Sequence, residues 1–155
     1  MNPYLRLMRW AGTKRWFPWV GRNVVTRLDT RLSGRDHSLT TFGTGLPMGY
    51  LTTTGRKSGT ARTVPLLFVE SAAGNPVVVG TNWGGAGDPM WVGNLEANPA
   101  GRWKASAEVA VTASRVEGAD FAEMWAKFVE LWPGYESYVA RSGRDPKMYE
   151  LERTY

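Results

Sequence analysis

The sequence contains no cysteine and only one histidine, His37. The absence of cysteine excludes disulfides, zinc ribbons, iron–sulfur clusters and thiol catalysis. A single histidine cannot build a histidine-rich metal site, and a Ser-His-Asp triad would have to use that one residue. We therefore expect no metal centre.

Long apolar runs are also absent. The longest uncharged stretch, residues 37–55, is filled by threonine, glycine and proline, so it is unsuited to crossing a bilayer. The N-terminal residues lack the uninterrupted apolar segment of a secretory signal peptide. These absences predict a cytoplasmic protein.

What the chain does contain fits one globular domain behind a basic leader. It has 155 residues, of which 43% are hydrophobic and 21% charged. Residues 1–35 contain eight cations and one acid, Asp29, whereas the remainder is slightly acidic. We predict a basic, aromatic helical leader over residues 1–36, with helices near 3–12 and 22–33, and one domain over 37–155.

Two interpretations of the leader stay open. Its helices either pack on the domain, or they form an interfacial anchor whose tryptophans and arginines meet an anionic membrane surface. In the second case the protein is peripheral on the inner face of the cell membrane. We expect no nucleic acid partner.

From residue 48 onward the pattern becomes mainly β. Strands are predicted over 48–54, 63–70, 77–81 and 147–152, with one or two more in 102–116. Helices are predicted from about 89 to 97, from an acidic box at Asp120 and Glu123 to Trp132, and after Pro133-Gly134. The pattern indicates an α+β fold, an antiparallel sheet or barrel with helices attached.

The strongest local signal is the basic loop around Gly55-Arg56-Lys57-Ser58-Gly59. No carboxylate occurs between Asp36 and Glu70. Glycines permit a tight turn, and the cations with Ser58 can hold a phosphate or a carboxylate. The alternative is a solvated hairpin tip. The spacing matches neither a P-loop nor a dinucleotide-binding fingerprint.

A second signal is the glycine-rich segment 80–91, where a strand leads through a loop into a helix. Free amides at such a helix start favour an anion or a polarised carbonyl. Trp83 and Trp91 can enclose a flat ligand; alternatively the glycines only turn the chain and Trp91 packs in the core.

A third signal is aromatic. Trp132, Tyr135 and Tyr138 are spaced to share one helical face. Tyrosines there can donate a proton or a hydrogen bond to a developing oxyanion, or the three rings are simply core.

Several separated motifs in this order resemble one family. They are Leu51-Thr52-Thr53-Thr54-Gly55-Arg56-Lys57-Ser58-Gly59, Arg62-Thr63-Val64-Pro65-Leu66, Asn82-Trp83-Gly84-Gly85, Pro89-Met90-Trp91 with Asn94-Leu95, Ala97-Asn98-Pro99, Trp132-Pro133-Gly134-Tyr135 with Tyr138, and Arg144-Asp145-Pro146. Together they resemble the deazaflavin-dependent nitroreductase family of actinobacterial, coenzyme F420-dependent quinone and nitro reductases. The resemblance extends over about residues 47–153.

The resemblance implies a split β-barrel like that of flavin-binding proteins, often dimeric or membrane-associated. It also implies that the chain transfers a hydride from reduced F420 to a small-molecule acceptor such as a quinone, an activated enone or a nitroaromatic. F420 is a flat deazaflavin joined to a phosphate and an oligoglutamate tail. The positions that match cofactor contacts are Arg56, Lys57, Ser58 and Arg62 for the anionic tail, Thr63, Val64, Pro65, Leu66 and Leu67 along the deazaflavin, and Gly80, Thr81, Asn82, Trp83, Met90, Trp91, Val92, Gly93, Asn94 and Tyr135 for further contacts.

By the same resemblance, Tyr135, Tyr138 and Asn82 are the catalytic candidates, and Trp132 and Tyr138 shape the substrate side. The sequence departs from the family twice: Trp83 replaces a lysine of some members, and Trp132 stands where nitroreducing members have tyrosine. Two alternatives remain open, an FMN-binding split barrel and a non-enzymatic module that binds a membrane surface. A homodimer is also expected.

Overall fold

The computed structural model describes residues 3–16 and 45–155. The predicted helix over 22–33, and most of the predicted leader, lie outside these residues. The described elements in chain order are α1 (Pro3–Gly12), β1 (Met48–Thr54), β2 (Ala61–Leu67), β3 (Val69–Glu70), β4 (Pro76–Gly80), a 3-10 turn (Asn82–Gly84), α2 (Met90–Ala97), β5 (Ala100–Lys104), β6 (Glu108–Arg115), α3 (Gly118–Leu131), α4 (Gly134–Ser142) and β7 (Lys147–Arg153).

The seven strands form one antiparallel sheet in the order β2-β1-β5-β6-β7-β4-β3. The strands at the two ends of this order, β2 and β3, are consecutive in the chain and separated only by Phe68. The sheet therefore curls back on itself as a barrel. Pro65 lies in the edge strand β2, where a missing N–H removes no ladder bond from a central strand.

Side chains that alternate along the strands form two cores, one on each face of the sheet. The inner core joins Leu51, Trp103 and Leu151 to Trp91 and Val92 of α2, which closes one end of the barrel. The outer core consists of the buried residues Val77, Val79, Val116, Met124, Phe128, Trp132, Tyr135, Tyr138 and Met148. It packs α3 and α4 against β4 and β7, so both faces of this half of the sheet are covered.

Helix α1 has the bounds that the sequence predicts, and it is anchored at its end. A Cβ on Gly12 would lie 2.3 Å from the Trp132 ring, so only glycine allows this approach. The Arg9 guanidinium donates to the carbonyl oxygen of Glu130. The end of α1 thus packs on the domain. None of the helices in the described ranges 3–16 and 45–155 is long and apolar enough to cross a membrane.

Two local predictions need correction. The strand predicted over 63–70 begins at Ala61 and breaks at Phe68, because the chain passes there from pairing with β1 to pairing with β4. The acidic box does not cap α3: the helix begins at Gly118, its N-cap Glu117 makes no side-chain cap bond, and Asp120 lies inside the first turn. An acid at that position still interacts favourably with the helix dipole.

Candidate functional site

The predicted binding segments converge at the barrel end that α2 covers. In the strand register Thr54 pairs with Ala61, Thr53 with Gly101 and Gly80 with Lys147. The basic loop between β1 and β2 and the glycine loop after β4 therefore leave the sheet at the same end. The first residues of α2 follow directly from the glycine loop.

The basic loop is a tight turn closed by its own backbone. Gly55 N–H donates to the Thr60 carbonyl at 2.8 Å, and Gly59 N–H donates to the Gly55 carbonyl at 2.7 Å. Gly59 has φ +67°, a conformation that favours glycine. The Ser58 hydroxyl accepts the Thr60 N–H at 3.2 Å, so its own O–H remains able to donate. This geometry leaves Arg56 and Lys57 exposed.

Helix α2 holds the start of this loop. The Arg56 backbone N–H donates to Asn94 Oδ1 at 3.0 Å, and Asn94 Nδ2 donates to Thr53 Oγ1 at 3.0 Å. Asn94 is buried, so both bonds form away from water. The Arg56 guanidinium lies against Gly93, where a Cβ would come within 2.6 Å of its nitrogen. The helix thus fixes the position of an exposed cation.

The start of α2 suits an anion. Its N-cap, Pro89, makes no side-chain cap bond, and no acid occurs in the first turn. The preceding Asp88 is bonded to Arg144 at 2.7 Å and to Lys147 at 3.0 Å, which compensates its charge. Hydrogen bonds from Lys147, first to Glu96 and then to Asp88, raise the pKa of that lysine. An uncapped helix start beside Arg56 can therefore receive a phosphate or a carboxylate.

The glycine loop contains two residues in an uncommon conformation. Asn82 has φ +49° and Trp83 has φ +54°, both in the left-handed region. Asn82 Nδ2 donates to the Gly87 carbonyl at 2.9 Å. The side-chain amide of Asn82, a catalytic candidate, thus stabilises the loop. Thr81 and Gly80 are buried and Trp83 is half-buried against Tyr138. This loop is shaped chiefly by side chains rather than by glycine alone.

The three aromatic candidates are buried together behind this loop. Tyr135 is 7% exposed, Tyr138 2% and Trp132 6%. The ring centroids of the two tyrosines lie 5.9 Å apart, and Trp132 Nε1 donates to the Tyr138 hydroxyl at 3.3 Å. Because Tyr138 accepts this bond, its O–H remains a donor. The arrangement matches the core interpretation and keeps two phenols beside the loop.

Burial raises the pKa of both phenols. Desolvation, and then the neighbouring Tyr138, raises the pKa of Tyr135 well above its usual value of 10. Desolvation raises the pKa of Tyr138 to about 12, against smaller lowering effects from Trp132 and Arg141. At physiological pH both side chains can donate hydrogen bonds and neither is a phenolate.

These shifts predict a loss of stability in alkali. Between pH 10 and pH 12 an unfolded tyrosine ionises while the folded Tyr138 stays protonated. The free energy of unfolding therefore has its full value below pH 10 and falls as the pH rises toward 12. Each phenol contributes a slope of about 1 kcal/mol per pH unit. Urea unfolding at a series of pH values measures this slope, and Tyr138→Phe should flatten it. Tyr155→Phe, at a fully exposed tyrosine, is the matched control; equal slopes in all three proteins would contradict the prediction.

The predicted contacts on β2 divide between the two faces of the sheet. Val64 and Leu66 pack against the inner core, whereas Leu67 packs against the outer one. The Thr63 hydroxyl pairs with that of Thr52 at 2.8 Å on the face opposite Val64. Arg62 is exposed at the start of the strand. A flat ligand along β2 would therefore contact alternate residues rather than all five of 63–67.

Helix α2 also separates its predicted contacts. Met90 is 82% exposed, whereas Trp91 and Val92 are buried in the inner core. The Trp91 ring packs edge-on against Tyr149 with centroids 6.0 Å apart. The structure thus favours the core interpretation of Trp91, and Gly93 and Asn94 act through Arg56 and Thr53.

One residue with many contacts was missed. Arg144 donates hydrogen bonds to three carbonyls of the glycine loop and to Asp88. The only sequence signal was its presence in the motif Arg144-Asp145-Pro146, which names no partner.

Comparisons with known proteins agree with this geometry. The sequence model of the family described as F420H(2)-dependent quinone reductase matches residues 21–148. A solved F420-H2 dependent reductase, FDR-A, is 32% identical, with 68% of this chain and 94% of that chain covered and a TM-score of 0.62. A protein described as a domain-swapped dimer is also 32% identical, with 68% and 80% covered and a TM-score of 0.62.

A more distant likeness concerns the fold alone. The haem storage protein HutZ of Vibrio cholerae is 17% identical, with 76% of this chain and 88% of that chain covered and a TM-score of 0.53. Together with the reductase structure, the curled sheet and flanking helices confirm the predicted split β-barrel.

Proposed function

Because the chain belongs to the F420H(2)-dependent quinone reductase family, we propose that it transfers a hydride from reduced F420 to a quinone, an activated enone or a nitroaromatic. The family makes it an F420-dependent oxidoreductase, as the sequence predicts. F420 rather than FMN is the cofactor that this family implies.

The observation that supports this proposal most directly is that contacts with α2 fix the position of Arg56. Its guanidinium packs on Gly93, and its backbone is bonded to Asn94, beside the uncapped start of α2. Lys57 and Arg62 add exposed positive charge nearby in sequence, and no carboxylate occurs between Asp36 and Glu70. A phosphate and an oligoglutamate tail fit such surroundings because both are anionic.

When bound, F420 supplies the hydride, and the protein supplies orientation and electrostatics. Arg56, Lys57 and Arg62 would hold the anionic end, and the glycine loop would receive the ring. Tyr135 and Tyr138 stay protonated, so each can donate a hydrogen bond to the oxygen that becomes negative as the acceptor is reduced. The buried phenols also exclude water from this side of the loop.

The assignment of the tail predicts a dependence on tail length. Lys57→Ala should weaken binding of long-tailed F420 by about fivefold, because an exposed charge contributes about 1 kcal/mol. Binding of the tail-free deazaflavin should change little. Fluorescence titration with both forms measures the difference, and Arg102→Ala, which removes an exposed cation paired with Glu108, is the control.

Two results of that titration would contradict the proposal. Wild-type protein that binds FMN but not F420 would reverse the cofactor assignment. An equal loss of both F420 forms in the Lys57 variant would reject the tail assignment while leaving the cofactor in place. A panel of quinones, enones and nitroaromatics then identifies the acceptor class.

A specific observation favours a second activity, contact with an anionic lipid surface. The side chains of Leu7, Trp10 and Trp16 are each more than half exposed, and Arg6 and Arg15 are exposed beside them. The Lys14 ammonium lies 4.6 Å from the Trp10 ring centroid. We propose that this segment binds the headgroup region of a membrane, from the cytoplasmic side.

Sedimentation with vesicles tests this activity on the full chain. The double variant Trp10→Ser/Trp16→Ser should lose binding to vesicles rich in anionic lipid and keep its F420 affinity. Tyr155→Ser removes an exposed aromatic far along the chain and should bind as the wild type does. Unchanged sedimentation of the double variant would reject a role for this segment.

We also propose that the chain forms a homodimer, since one similar protein is described as a domain-swapped dimer. Light scattering coupled to size-exclusion chromatography should give twice the chain mass; a monomer mass over the accessible concentrations would contradict it.

A further inference from the structure

Arg144 makes an unusual set of contacts for a residue outside the predicted site. Its Nε donates to the Gly85 carbonyl at 3.2 Å, and one terminal nitrogen donates to the carbonyls of Gly80 at 3.3 Å and Thr81 at 3.2 Å. The other terminal nitrogen bonds Asp88 at 2.7 Å. The side chain is 18% exposed. One guanidinium therefore joins the end of β4, the middle of the glycine loop and the start of α2.

The loop needs such a partner because its backbone is strained. Asn82 and Trp83 are both left-handed without being glycine, a conformation that persists only where the surroundings enforce it. Three carbonyls that converge on one point would also repel one another and an incoming anion. The half-buried guanidinium of Arg144 donates to these carbonyls and offsets the charge of Asp88 at the same time.

The same arginine joins the loop to the helix that carries the buried phenols. It follows Gly143, the left-handed C-cap of α4. A Cβ on Gly84 would lie 3.1 Å from the Tyr138 Cα, so the backbone of the loop packs directly against the backbone of α4. The loop and α4 are thus tied both by packing and by Arg144.

We propose that Arg144 is a positioning residue, which holds the glycine loop in the shape that receives the ring end of the cofactor. This inference rests on the proposed function. Arg144 need not touch the cofactor, because its donors already serve the protein. It acts on affinity through Gly80, Thr81 and the left-handed pair at 82 and 83.

The test compares variants by F420 titration and thermal unfolding. Arg144→Gln should weaken binding by about tenfold, as expected when a charged donor to several buried carbonyls is lost. The loss should be the same for tail-bearing and tail-free F420, unlike the loss in Lys57→Ala. Arg144→Lys keeps the charge without the fork geometry, so it should recover little affinity. Arg102→Gln makes the same change of charge at an exposed pair and should bind as the wild type does.

A merely structural role has a different signature. It would lower the melting temperature and leave the affinity of the folded protein unchanged. Asp88→Asn provides a milder variant that keeps the three carbonyl bonds, and we expect about a twofold to threefold loss of affinity. Should Arg144→Gln fail to fold, Asp88→Asn decides the matter by the same comparison of the two cofactor forms.

The outcomes separate the two proposals. If the wild type does not bind F420, the proposed function fails. If the wild type binds and Arg144→Gln binds within twofold of it, only the positioning role is overturned. A loss confined to the tail-bearing form also overturns it, because the arginine would then serve the anionic end.

Discussion

Gly93→Ala should weaken F420 binding by about thirtyfold without destabilising the protein. The new Cβ would lie 2.6 Å from an Arg56 nitrogen, and the guanidinium, at the end of an exposed flexible side chain, would move away. Losing one charge-assisted contact to the anionic end corresponds to about 2 kcal/mol. Alanine has a higher helix propensity than glycine by about 1 kcal/mol, so the melting temperature should hold or rise. Affinity and stability are therefore expected to change in opposite directions.

A double-mutant cycle makes this expectation sharp. If Gly93→Ala acts only through Arg56, it should have no effect on affinity in an Arg56→Ala background. Gly87→Ala adds a methyl group in the neighbouring glycine loop that meets nothing within 4 Å, so it reports the effect of an added methyl group away from Arg56. Additive losses in the cycle would show that residue 93 acts on the cofactor by another route.

Asn94→Leu should lower both stability and affinity. The substitution removes the hydrogen-bond partner of the Thr53 hydroxyl and of the Arg56 N–H. Both groups are then left unsatisfied in a largely buried position. Unsatisfied groups of this kind cost about 1–3 kcal/mol each. The turn that presents Arg56 also loses its attachment to α2, so weaker F420 binding should accompany the lower urea midpoint.

Asn94→Asp separates charge from geometry at the same position. A carboxylate can still accept from the Arg56 N–H and from the Thr53 hydroxyl, so the loop should stay attached. Its negative charge, however, faces the region proposed to hold an anion. We expect better stability than in Asn94→Leu with a comparable loss of affinity, and a loss that changes little as salt is added, because residue 94 is buried. Full F420 affinity in Asn94→Asp would place the anionic end elsewhere.

Much of the fold was predictable because local patterns determine it. Alternation and turn residues predicted β1 at 48–54 and a C-terminal strand, and Pro133-Gly134 predicted the break between α3 and α4. The break at Phe68 could not be predicted, since it arises from a change of pairing partner that is encoded far from residue 68. The start of α3 was misjudged because Asp120 suits the first turn as well as the cap.

The site was predictable as segments and not as contacts. The composition of the basic loop and the strand-to-helix pattern of the glycine loop each predicted a binding segment. Apart from the motif Arg144-Asp145-Pro146, nothing in the sequence distinguishes Arg144 from Arg141, although Arg144 donates to four acceptors and Arg141 lies near the Tyr138 ring. Likewise the sequence is compatible with two roles for Trp91, one in which it contacts a flat ligand and one in which it packs in the core. Its packing on Tyr149 favours the core.

The position of β7 has a consequence for how the chain reaches its native state. This strand comes last among the described elements, yet it lies between β6 and β4 in the sheet. During synthesis β4 has no native neighbour on that side until residues 147–150 of β7 have emerged, so its apolar side chains stay unpaired on that side while the intervening elements are made. Long-range pairing of this kind slows folding and prolongs the time during which aggregation-prone intermediates expose apolar surface. Truncation within 147–153 should therefore yield insoluble protein rather than a smaller working enzyme.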